Sequence, residues 1–354
     1  HSLSVPGDKS ISHRAVILGS IAEGQSRVKG FLFGEDCIAT INVMRQLGVP
    51  ITIDSETNEV IIEGRGLTGL QASTQLLDCG NSGTTMRLLS GLLAGQAFKS
   101  QLIGDASLNK RPMARVMNPL ISMGANIEGY QGSELPPLTI QPVEALTAIR
   151  YEMPVASAQV KSAILLAALQ ADGETEVIEQ AVSRNHTEEM LQLFGVDLKV
   201  EGKHIKLNGG QTLKGQTIEV PGDISSAAYF LAAGLLLADS ELKIENVGLN
   251  ETRSGILEVI QAMGGQLEVQ PRANGISADI TVRSSRLKAT VIEGELIPRL
   301  IDELPIIALM ATQAEGVTLI KDAAELKVKE TDRVVAVADQ LNALGAEVTA
   351  TADG

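Results

Sequence analysis

The chain has 354 residues, of which 44% are hydrophobic, so it is too long for one ordinary core and fits two domains. Aromatic residues make up only 2% of the sequence and the formal net charge is −14, which argues against nucleic acid and anionic membranes as partners. Small anionic substrates stay compatible with this composition, because a few Lys and Arg side chains can dominate inside a cleft.

Cysteine and histidine usage narrows the chemistry further. The sequence has two cysteines, Cys37 and Cys79, and so few in a chain of this size is typical of a reduced, cytoplasmic protein. The four histidines lack the spacing of metal ligands, and the longest apolar runs are too short to span a bilayer. We therefore expect no metal site, no cofactor and no membrane contact.

The first motif along the chain is a strand end, a Pro-Gly turn and a helix start, with the sequence Val5-Pro6-Gly7-Asp8-Lys9-Ser10-Ile11-Ser12-His13-Arg14. The turn breaks the strand, and Ser10 or Ser12 is predicted to cap the helix. A helix N-terminus offers unpaired N–H groups that suit an anion, and Lys9 lies in this first turn. The motif predicts a bound phosphate or carboxylate; the alternative is a solvated lysine after a turn.

Three further predicted helix starts carry groups that bind anions. The first is the Gly/Ser/Thr loop of residues 79–87, the second is Lys110-Arg111-Pro112-Met113, and the third is Ser157-Ala158-Gln159-Val160-Lys161. Backbone N–H groups, cations and an amide at such positions suit a charged, hydroxylated ligand. The alternative for each is an ordinary capped helix or a solvated basic turn.

A glycine-rich segment lies between the first two motifs. Residues 64–69 fit the G-x-G-x-x-G pattern, but the residues that follow are a poor helix start. A dinucleotide-binding loop needs that helix to hold a pyrophosphate, so we reject this function for the segment.

The opening turn returns in the second half of the chain as Val220-Pro221-Gly222-Asp223. Ile224 follows in the position that Lys9 occupies in the first copy. This likeness indicates two related halves that have diverged, with the charge needed on one side only.

Two acidic segments complete the candidate chemistry. Asp302 and Glu303 precede a predicted buried helix at 304–310, and a carboxylate in such a place is a plausible general base. Residues 325–333 carry a dense run of charges before a predicted helix at 334–344. Such runs are more often solvated surfaces than binding sites.

A repeat of about 70 to 80 residues is the strongest organising pattern of the sequence. In each copy an amphipathic helix ends at a glycine and an alternating strand follows; the glycines are Gly48, Gly124, Gly195, Gly264 and Gly345. Glycine after the last apolar residue is the usual helix stop. Three copies precede Val220 and two follow, so we expect that a sixth unit is absent and that the chain is incomplete at its C-terminus.

Together these motifs resemble the 5-enolpyruvylshikimate-3-phosphate synthase family, in its class II bacterial form. The resemblance covers essentially the whole chain and rests on Gly7-Asp8-Lys9-Ser10-Ile11-Ser12-His13-Arg14, Gly80-Asn81-Ser82-Gly83-Thr84, Lys110-Arg111-Pro112-Met113, Ser157-Ala158-Gln159-Val160-Lys161, Arg184-Asn185-His186-Thr187-Glu188, Asn250-Glu251-Thr252-Arg253 and Lys329-Glu330-Thr331-Asp332-Arg333.

The resemblance implies an α/β fold of two domains, each an inside-out α/β barrel of repeated βαββαβ units. Residues 8–220 would form the first domain with three units. Residues 1–7 and 221–354 would form the second, with about two of its three units and the sixth unit missing.

The resemblance also implies a reaction: transfer of the enolpyruvyl group of phosphoenolpyruvate to the 5-hydroxyl of shikimate-3-phosphate, with release of phosphate, in aromatic amino acid biosynthesis. Asp302, Glu330 and Lys9 would be catalytic. Shikimate-3-phosphate would contact Lys9, Ser10, Arg14, Ser157, Ala158, Gln159, Arg184, Asp302 and Lys329. Phosphoenolpyruvate would contact Lys9, Asn81, Gly83, Thr84, Arg111, Gln159, Glu330 and Arg333.

Two other functions stay open from the sequence. One is a non-catalytic fragment, or one piece of a split assembly, that binds shikimate-3-phosphate without full activity. The other is the related UDP-N-acetylglucosamine enolpyruvyl transferase, which the positions of Cys37 and Cys79 disfavour. We further expect a cytoplasmic monomer, completed by a C-terminal fragment, with glyphosate as an inhibitor.

Overall fold

The structure is a computed structural model that describes residues 2–354. Within these residues there are ten α-helices: α1 (Lys9–Ile21), α2 (Glu35–Gln46), α3 (Gly83–Ala94), α4 (Ala114–Ser122), α5 (Ala158–Ala168), α6 (His186–Leu193), α7 (Ile224–Leu236), α8 (Gly255–Ala262), α9 (Leu304–Thr312) and α10 (Arg333–Ala343). Short 3-10 helices occupy Leu108–Lys110, Tyr130–Gly132, Gly294–Arg299, Ile301–Glu303 and Ala324–Val328.

The same residues contain twenty strands: β1 (Ser2–Ser4), β2 (Glu23–Lys29), β3 (Ile51–Asp54), β4 (Glu59–Arg65), β5 (Leu77–Asp78), β6 (Ser100–Ile103), β7 (Asn126–Glu128), β8 (Leu138–Gln141), β9 (Leu146–Thr147), β10 (Arg150–Glu152), β11 (Ala171–Asp172), β12 (Glu174–Ile178), β13 (Leu198–Glu201), β14 (His204–Asn208), β15 (Thr217–Glu219), β16 (Glu241–Gly248), β17 (Gln266–Pro271), β18 (Ser277–Arg283), β19 (Val291–Ile292) and β20 (Leu319–Ile320). The fold class is therefore mixed α/β, as the sequence predicts.

The chain divides into two compact units, one of Lys9–Val220 and one of His1–Asp8 with Pro221–Gly354. Asp8 belongs with Pro221–Gly354 because its N–H donates a hydrogen bond to Pro221 O at 2.8 Å and its carboxylate contacts Arg253. Each unit has its own cluster of buried apolar side chains.

The Lys9–Val220 unit contains three four-stranded sheets, with strand orders β15-β2-β4-β3, β5-β6-β8-β7 and β10-β12-β14-β13. In each sheet the first two strands are parallel and the other two neighbouring pairs are antiparallel. A small parallel pair, β11-β9, adds to them. Three helices of this unit, α1, α3 and α5, are almost entirely buried.

The unit that contains Pro221–Gly354 has a fourth sheet of the same kind. Its order is β1-β16-β18-β17, again with a parallel pair followed by two antiparallel pairs. A parallel pair, β19-β20, lies in the same unit. Strand β1, from the start of the chain, thus pairs with a strand more than 200 residues later, at Ser2 with Lys243.

Helix α3 packs closely on α5 at a glycine. A Cβ added to Gly91 would lie 2.1 Å from the carbonyl oxygen of Ala163 on α5, so only hydrogen fits at this position. The absence of a side chain lets the two helix backbones approach each other, and the apolar side chains around them are buried.

The five predicted helix stops share one geometry. Gly48, Gly124, Gly195, Gly264 and Gly345 all have positive φ angles, between 78° and 93°. At the first, the N–H of Gly48 donates to Arg45 O at 3.0 Å and the N–H of Val49 donates to Met44 O at 3.1 Å. The same pair of bonds recurs at the other four, which is the Schellman arrangement that satisfies the last carbonyls of a helix. The predicted stops are confirmed.

Several other predicted boundaries are confirmed. Strands β3, β7, β13 and β17 follow the first four stops, helix α7 follows the second Pro-Gly turn, and α9 begins at Leu304. Between strand β4 and helix α3 the described chain contains no helix, which agrees with rejecting a dinucleotide-binding loop at residues 64–69.

Two local predictions are wrong. Helix α1 begins at Lys9, so Ser10 and Ser12 lie inside it rather than at its cap, and the Ser12 hydroxyl instead accepts the N–H of Leu32 at 3.0 Å. The strand expected at Val348 is absent from the described residues. Both backbone polar groups of Val348 bond to the side-chain amide of Asn342, at 2.7 and 2.8 Å, in place of a neighbouring strand.

No helix in the described part of the chain is both long enough and apolar enough to cross a membrane.

Candidate active site

The start of helix α3 gathers two guanidinium groups beside an unoccupied side-chain position. Ser82 caps the helix by accepting the N–H of Thr85 at 3.1 Å. A Cβ added to Gly83 would lie 2.8 Å from Nη1 of Arg87 and 3.4 Å from Nη1 of Arg111. Two cations and the N–H groups of a helix N-terminus together favour an anion.

Polar side chains tie this cluster together. The amide of Gln159 accepts a hydrogen bond from Nη1 of Arg87 at 2.6 Å and donates one to Oγ1 of Thr84 at 2.9 Å. Arg111 donates to Oδ1 of Asn81 at 3.3 Å. The structure thus brings together Asn81, Gly83, Thr84, Arg111 and Gln159, all of which the family resemblance assigns to phosphoenolpyruvate.

Arg87 ends the segment of residues 79–87 that the sequence singles out, but it is not among the residues assigned to a substrate. It contacts Gln159 directly and lies four residues after Gly83, on the same face of α3. The signal was available, because an i, i+4 pair on a helix places the two side chains next to each other.

A second polar cluster joins helices α1, α5 and α6 around Arg14. The buried guanidinium donates to Oγ1 of Thr187 at 2.7 Å, to Oγ of Ser162 at 2.9 Å and to the carbonyl of Ser10 at 3.0 Å. Ser162 in turn donates to the carbonyl of Ala158 at 2.6 Å. These contacts hold Arg14 in one orientation and link it to two of its predicted neighbours in the shikimate-3-phosphate set.

The other members of that set in the Lys9–Val220 unit lie at helix starts. Ser157 caps α5 by accepting the N–H of Val160 at 3.3 Å, and Arg184 lies two residues before α6. Lys9 is the first residue of α1, is half-exposed and forms an ion pair with Asp36 of α2. Asp36 is a second polar residue that the sequence analysis did not single out.

A buried chain of hydrogen bonds links helices α1, α2 and α3. Nδ1 of His13 bonds to Thr40 at 2.8 Å, Thr40 to Thr85 at 2.8 Å, and Thr85 to Ser82 at 2.7 Å. Burial, followed by the charges of Lys9 and Arg14, lowers the pKa of His13 to about 3. His13 is therefore neutral at physiological pH and links α1 to α2 and α3 without adding charge.

Lys161, in a motif shared with the resembled family, is a structural cation. Its side chain is 1% exposed and its Nζ lies 2.6 Å from Oε1 of Glu188 and 3.2 Å from Oε2 of Glu179. Burial raises the pKa of Glu188, against the opposing charge of Lys161. This lysine is occupied by internal carboxylates and is not placed to bind a substrate.

The unit that contains Pro221–Gly354 has its own charged cluster. Nη1 of Arg333 lies 3.2 Å from Oδ1 of Asp302, and its Nη2 lies 2.8 Å from Oε2 of Glu330. Nζ of Lys329 lies 3.8 Å from the same oxygen of Asp302. Partial burial opposes the charge of Arg333, but Glu330 and Asp302 together raise its pKa. The four residues assigned to substrates in this unit therefore contact one another.

Neither a metal centre nor a disulfide contributes to these clusters. In residues 2–354 no group of three or more His, Cys, Asp or Glu side chains is arranged to hold a metal ion. Cys37 and Cys79 are both buried and free, and burial raises the pKa of the Cys79 thiol.

Comparison with known proteins identifies this arrangement. The whole chain, residues 1–354, matches the family described as EPSP synthase (3-phosphoshikimate 1-carboxyvinyltransferase). The chain belongs to the EPSP synthase family. The family and the enzyme class inferred from the sequence, a transferase, are therefore confirmed.

Individual members of the EPSP synthase family are close to this chain. The 3-phosphoshikimate 1-carboxyvinyltransferase of Streptococcus equi subsp. zooepidemicus (strain MGCS10565) is 58% identical over 353 residues, which cover 99% of this chain and 82% of that protein. The structure of EPSP synthase from Acinetobacter baumannii matches with a TM-score of 0.90 at 47% identity, over 100% of this chain and 80% of that one.

A more distant structure shares the fold alone. The enolpyruvyl transferase NikO from Streptomyces tendae matches with a TM-score of 0.74 at 16% identity, over 91% of this chain and 75% of that one. The full-chain match to the EPSP synthase family does not favour a non-catalytic fragment as the function, nor the related UDP-N-acetylglucosamine enolpyruvyl transferase.

Proposed function

We propose that the protein transfers the enolpyruvyl group of phosphoenolpyruvate to the 5-hydroxyl of shikimate-3-phosphate and releases phosphate, in the shikimate pathway of aromatic amino acid biosynthesis. The observation that carries this function is the match of residues 1–354 to the EPSP synthase family. Both substrates are polyanions, so the enzyme needs clustered Lys and Arg side chains in spite of its net charge of −14.

Phosphoenolpyruvate is assigned to the start of helix α3. Arg111, Asn81, Thr84 and the backbone at Gly83 bind its charged groups there, with Lys9 and Gln159. The nearness of Gly83 to the guanidinium groups of Arg87 and Arg111 supports this assignment, because it sets two cations beside the N-terminus of a helix. Glu330 and Arg333 complete the set.

Shikimate-3-phosphate is assigned to the polar ends of helices α1, α5 and α6. Its phosphate and hydroxyl groups bind Lys9, Ser10, Arg14, Ser157, Ala158, Gln159 and Arg184, together with Asp302 and Lys329. Support comes from the hydrogen bonds that orient Arg14 through Thr187 and Ser162, since a pre-oriented guanidinium loses little freedom on binding an anion.

The chemistry needs two proton transfers. As the 5-hydroxyl oxygen bonds to C2 of phosphoenolpyruvate, its proton passes to Asp302 and the methylene carbon gains a proton from Glu330. The tetrahedral adduct then loses phosphate, and removal of a proton from the new methyl group restores the C–C double bond. Lys9 stabilises the negative charge that develops during these steps. Each positioned acid or base contributes on the order of 10²- to 10⁴-fold to the rate.

The repeated fold is part of the same proposal. The four sheets with one strand order and one pattern of strand direction support descent from a single βαββαβ unit, and the common geometry of the five helix stops supports it independently. We assign the unit of Lys9–Val220 to one inside-out barrel and the unit of His1–Asp8 with Pro221–Gly354 to the other. The number of units in the second barrel stays a prediction, as do glyphosate inhibition, the monomeric state and the cytoplasmic location.

The experiment that tests the assigned base replaces Asp302 with Asn. The variant keeps the shape of the side chain but cannot accept a proton, so kcat for phosphate release should fall by roughly 10²- to 10⁴-fold. Binding of shikimate-3-phosphate, measured by calorimetry, should be retained. A variant that keeps the wild-type kcat would remove Asp302 from the mechanism, and one that unfolds would mark it as a structural acid.

A further inference from the structure

Arg253 lies at the centre of a buried charge cluster that the proposed mechanism does not use. Nη1 of Arg253 lies 2.7 Å from Oδ2 of Asp8, and its Nη2 lies 3.2 Å from Oδ1 of Asp223 and 3.8 Å from Oε1 of Glu303. All four residues are at most 6% exposed. Nη2 also donates to Oγ of Ser225 at 2.5 Å, and that hydroxyl donates to Glu303.

The cluster joins the two copies of the Pro-Gly-Asp turn. Asp8 and Asp223 are the aspartates of those copies, and both contact the one guanidinium. The backbones are paired as well, because the N–H of Asp8 donates to Pro221 O at 2.8 Å and the N–H of Asp223 donates to Pro6 O at 2.9 Å. Gly7 and Gly222 form a β-bridge between these bonds.

Two members of the cluster are covalent neighbours of the assigned catalytic groups. Asp8 directly precedes Lys9, and Glu303 directly follows Asp302. The charge of Arg253 is secure: burial alone would lower its pKa, but Asp8, Asp223 and Glu303 raise it above its usual value. Three carboxylates on one planar guanidinium fix the positions of three backbone segments at once.

We propose that Arg253 is a positioning residue for the transferase reaction, which holds Lys9 through Asp8 and Asp302 through Glu303. This inference rests on the proposed function, because it takes Lys9 and Asp302 as catalytic groups. The competing explanation is a buried ion cluster that serves folding only. In that case each of its carboxylates matters for stability, and none has a special link to the rate.

The repeated turn supplies a matched pair of variants. Asp8 and Asp223 contact the same guanidinium, are both buried and both precede a helix, α1 or α7. Only Asp8 is followed by a lysine, whereas Asp223 is followed by Ile224. Asp8→Asn and Asp223→Asn each remove one charge from Arg253 and keep a side-chain oxygen that can cap the helix. Glu303→Gln makes the corresponding change beside Asp302.

The measurements are kcat and KM for phosphate release with both substrates, together with the melting temperature. If Arg253 positions the catalytic groups, Asp8→Asn and Glu303→Gln lower kcat by roughly 10- to 100-fold, with smaller changes in KM. Asp223→Asn has a melting temperature similar to that of Asp8→Asn, but its kcat is close to that of the wild type. Equal kcat values for Asp8→Asn and Asp223→Asn, whether both low or both normal, would overturn the proposal.

A second variant covers the case in which an aspartate variant does not fold. Arg253→Lys keeps the positive charge but loses the planar fork, so it should fold, bind shikimate-3-phosphate and show a lowered kcat. A wild-type kcat in this variant would contradict the proposal. Wild-type protein that releases no phosphate would instead contradict the proposed function, and the role of Arg253 would fall with it.

Discussion

The buried His13 makes a prediction at the scale of a single residue. The pKa of His13 is about 3 in the fold, against 6.5 for an ordinary histidine. The unfolded chain therefore binds a proton that the folded chain excludes once the pH falls below 6.5. The stability that depends on neutral His13 is fully present above pH 6.5, and it is lost toward pH 3 at up to about 1.4 kcal/mol per pH unit.

Substituting His13 with Asn tests this pH dependence. The variant is less stable at pH 7.5, because it leaves a cavity, but its free energy of unfolding falls less steeply between pH 6.5 and 4. Urea denaturation at several pH values measures the slope. Equal slopes for the wild type and His13→Asn would show that His13 is not the titrating group.

Gly83 makes a second prediction at the residue scale. A Cβ at this position meets only the ends of flexible side chains, at 2.8 Å from Arg87 and 3.4 Å from Arg111, so Gly83→Ala should fold normally. It should raise the KM for phosphoenolpyruvate by displacing the guanidinium groups, with a smaller effect on the KM for shikimate-3-phosphate. Gly34→Ala is the control, because its Cβ makes only ordinary contacts with Leu32. An unchanged KM for phosphoenolpyruvate would move this substrate away from the start of α3.

At the scale of elements, the close packing of α3 on α5 predicts that Gly91→Ala disturbs folding. This is the opposite of the result expected for Gly83→Ala, eight residues earlier on the same helix. A Cβ at Gly91 would lie 2.1 Å from a backbone oxygen, which cannot move without moving α5. Ala is favoured over Gly inside a helix by roughly 1 kcal/mol. Overpacking costs about 1–3 kcal/mol, so the steric term should win and Gly91→Ala should destabilise the protein.

Thermal unfolding measures this difference, with Gly83→Ala as the matched control on the same helix. The melting temperature should fall in Gly91→Ala and stay near the wild-type value in Gly83→Ala. A stabilised Gly91→Ala variant would mean that the two helices separate easily, and the rigid packing described for α3 and α5 would be wrong.

Elements with local signals could be predicted from the sequence, whereas those with distant partners could not. Gly48 marks a helix end because it directly follows the last apolar residue of the helix and adopts the positive φ that glycine favours, so the signal is local. The irregular chain at Val348 escaped prediction because a strand needs a partner, and here the side chain of Asn342 takes that place. The site divides in the same way: Arg87 had a local signal, but Arg253 acquires its role only from Asp8, Asp223 and Glu303, each far away in the sequence.

At the scale of the whole molecule, an acidic chain gathers several of its cations in the clusters to which we assign the two anionic substrates. The sequence has 43 acidic and 29 basic residues, yet Arg14, Arg87 and Arg111 in one unit and Lys329 and Arg333 in the other all lie in the clusters described above. The repeat accounts for the scaffold, since the same turn and the same helix stop recur with different side chains. The proposed function depends on the positions at which the copies differ. In the two copies of the Pro-Gly-Asp turn, for example, Lys9 follows the first and Ile224 follows the second.

The most direct test of the central claim is phosphate release by the purified protein, followed together with the mass of the organic product. We expect phosphate release only when phosphoenolpyruvate and shikimate-3-phosphate are both present, with one enolpyruvyl product formed per phosphate. We also expect that a folded Lys9→Met variant shows no turnover. Folded wild-type protein that binds shikimate-3-phosphate but releases no phosphate, or a Lys9→Met variant with near-normal rates, would contradict the central claim.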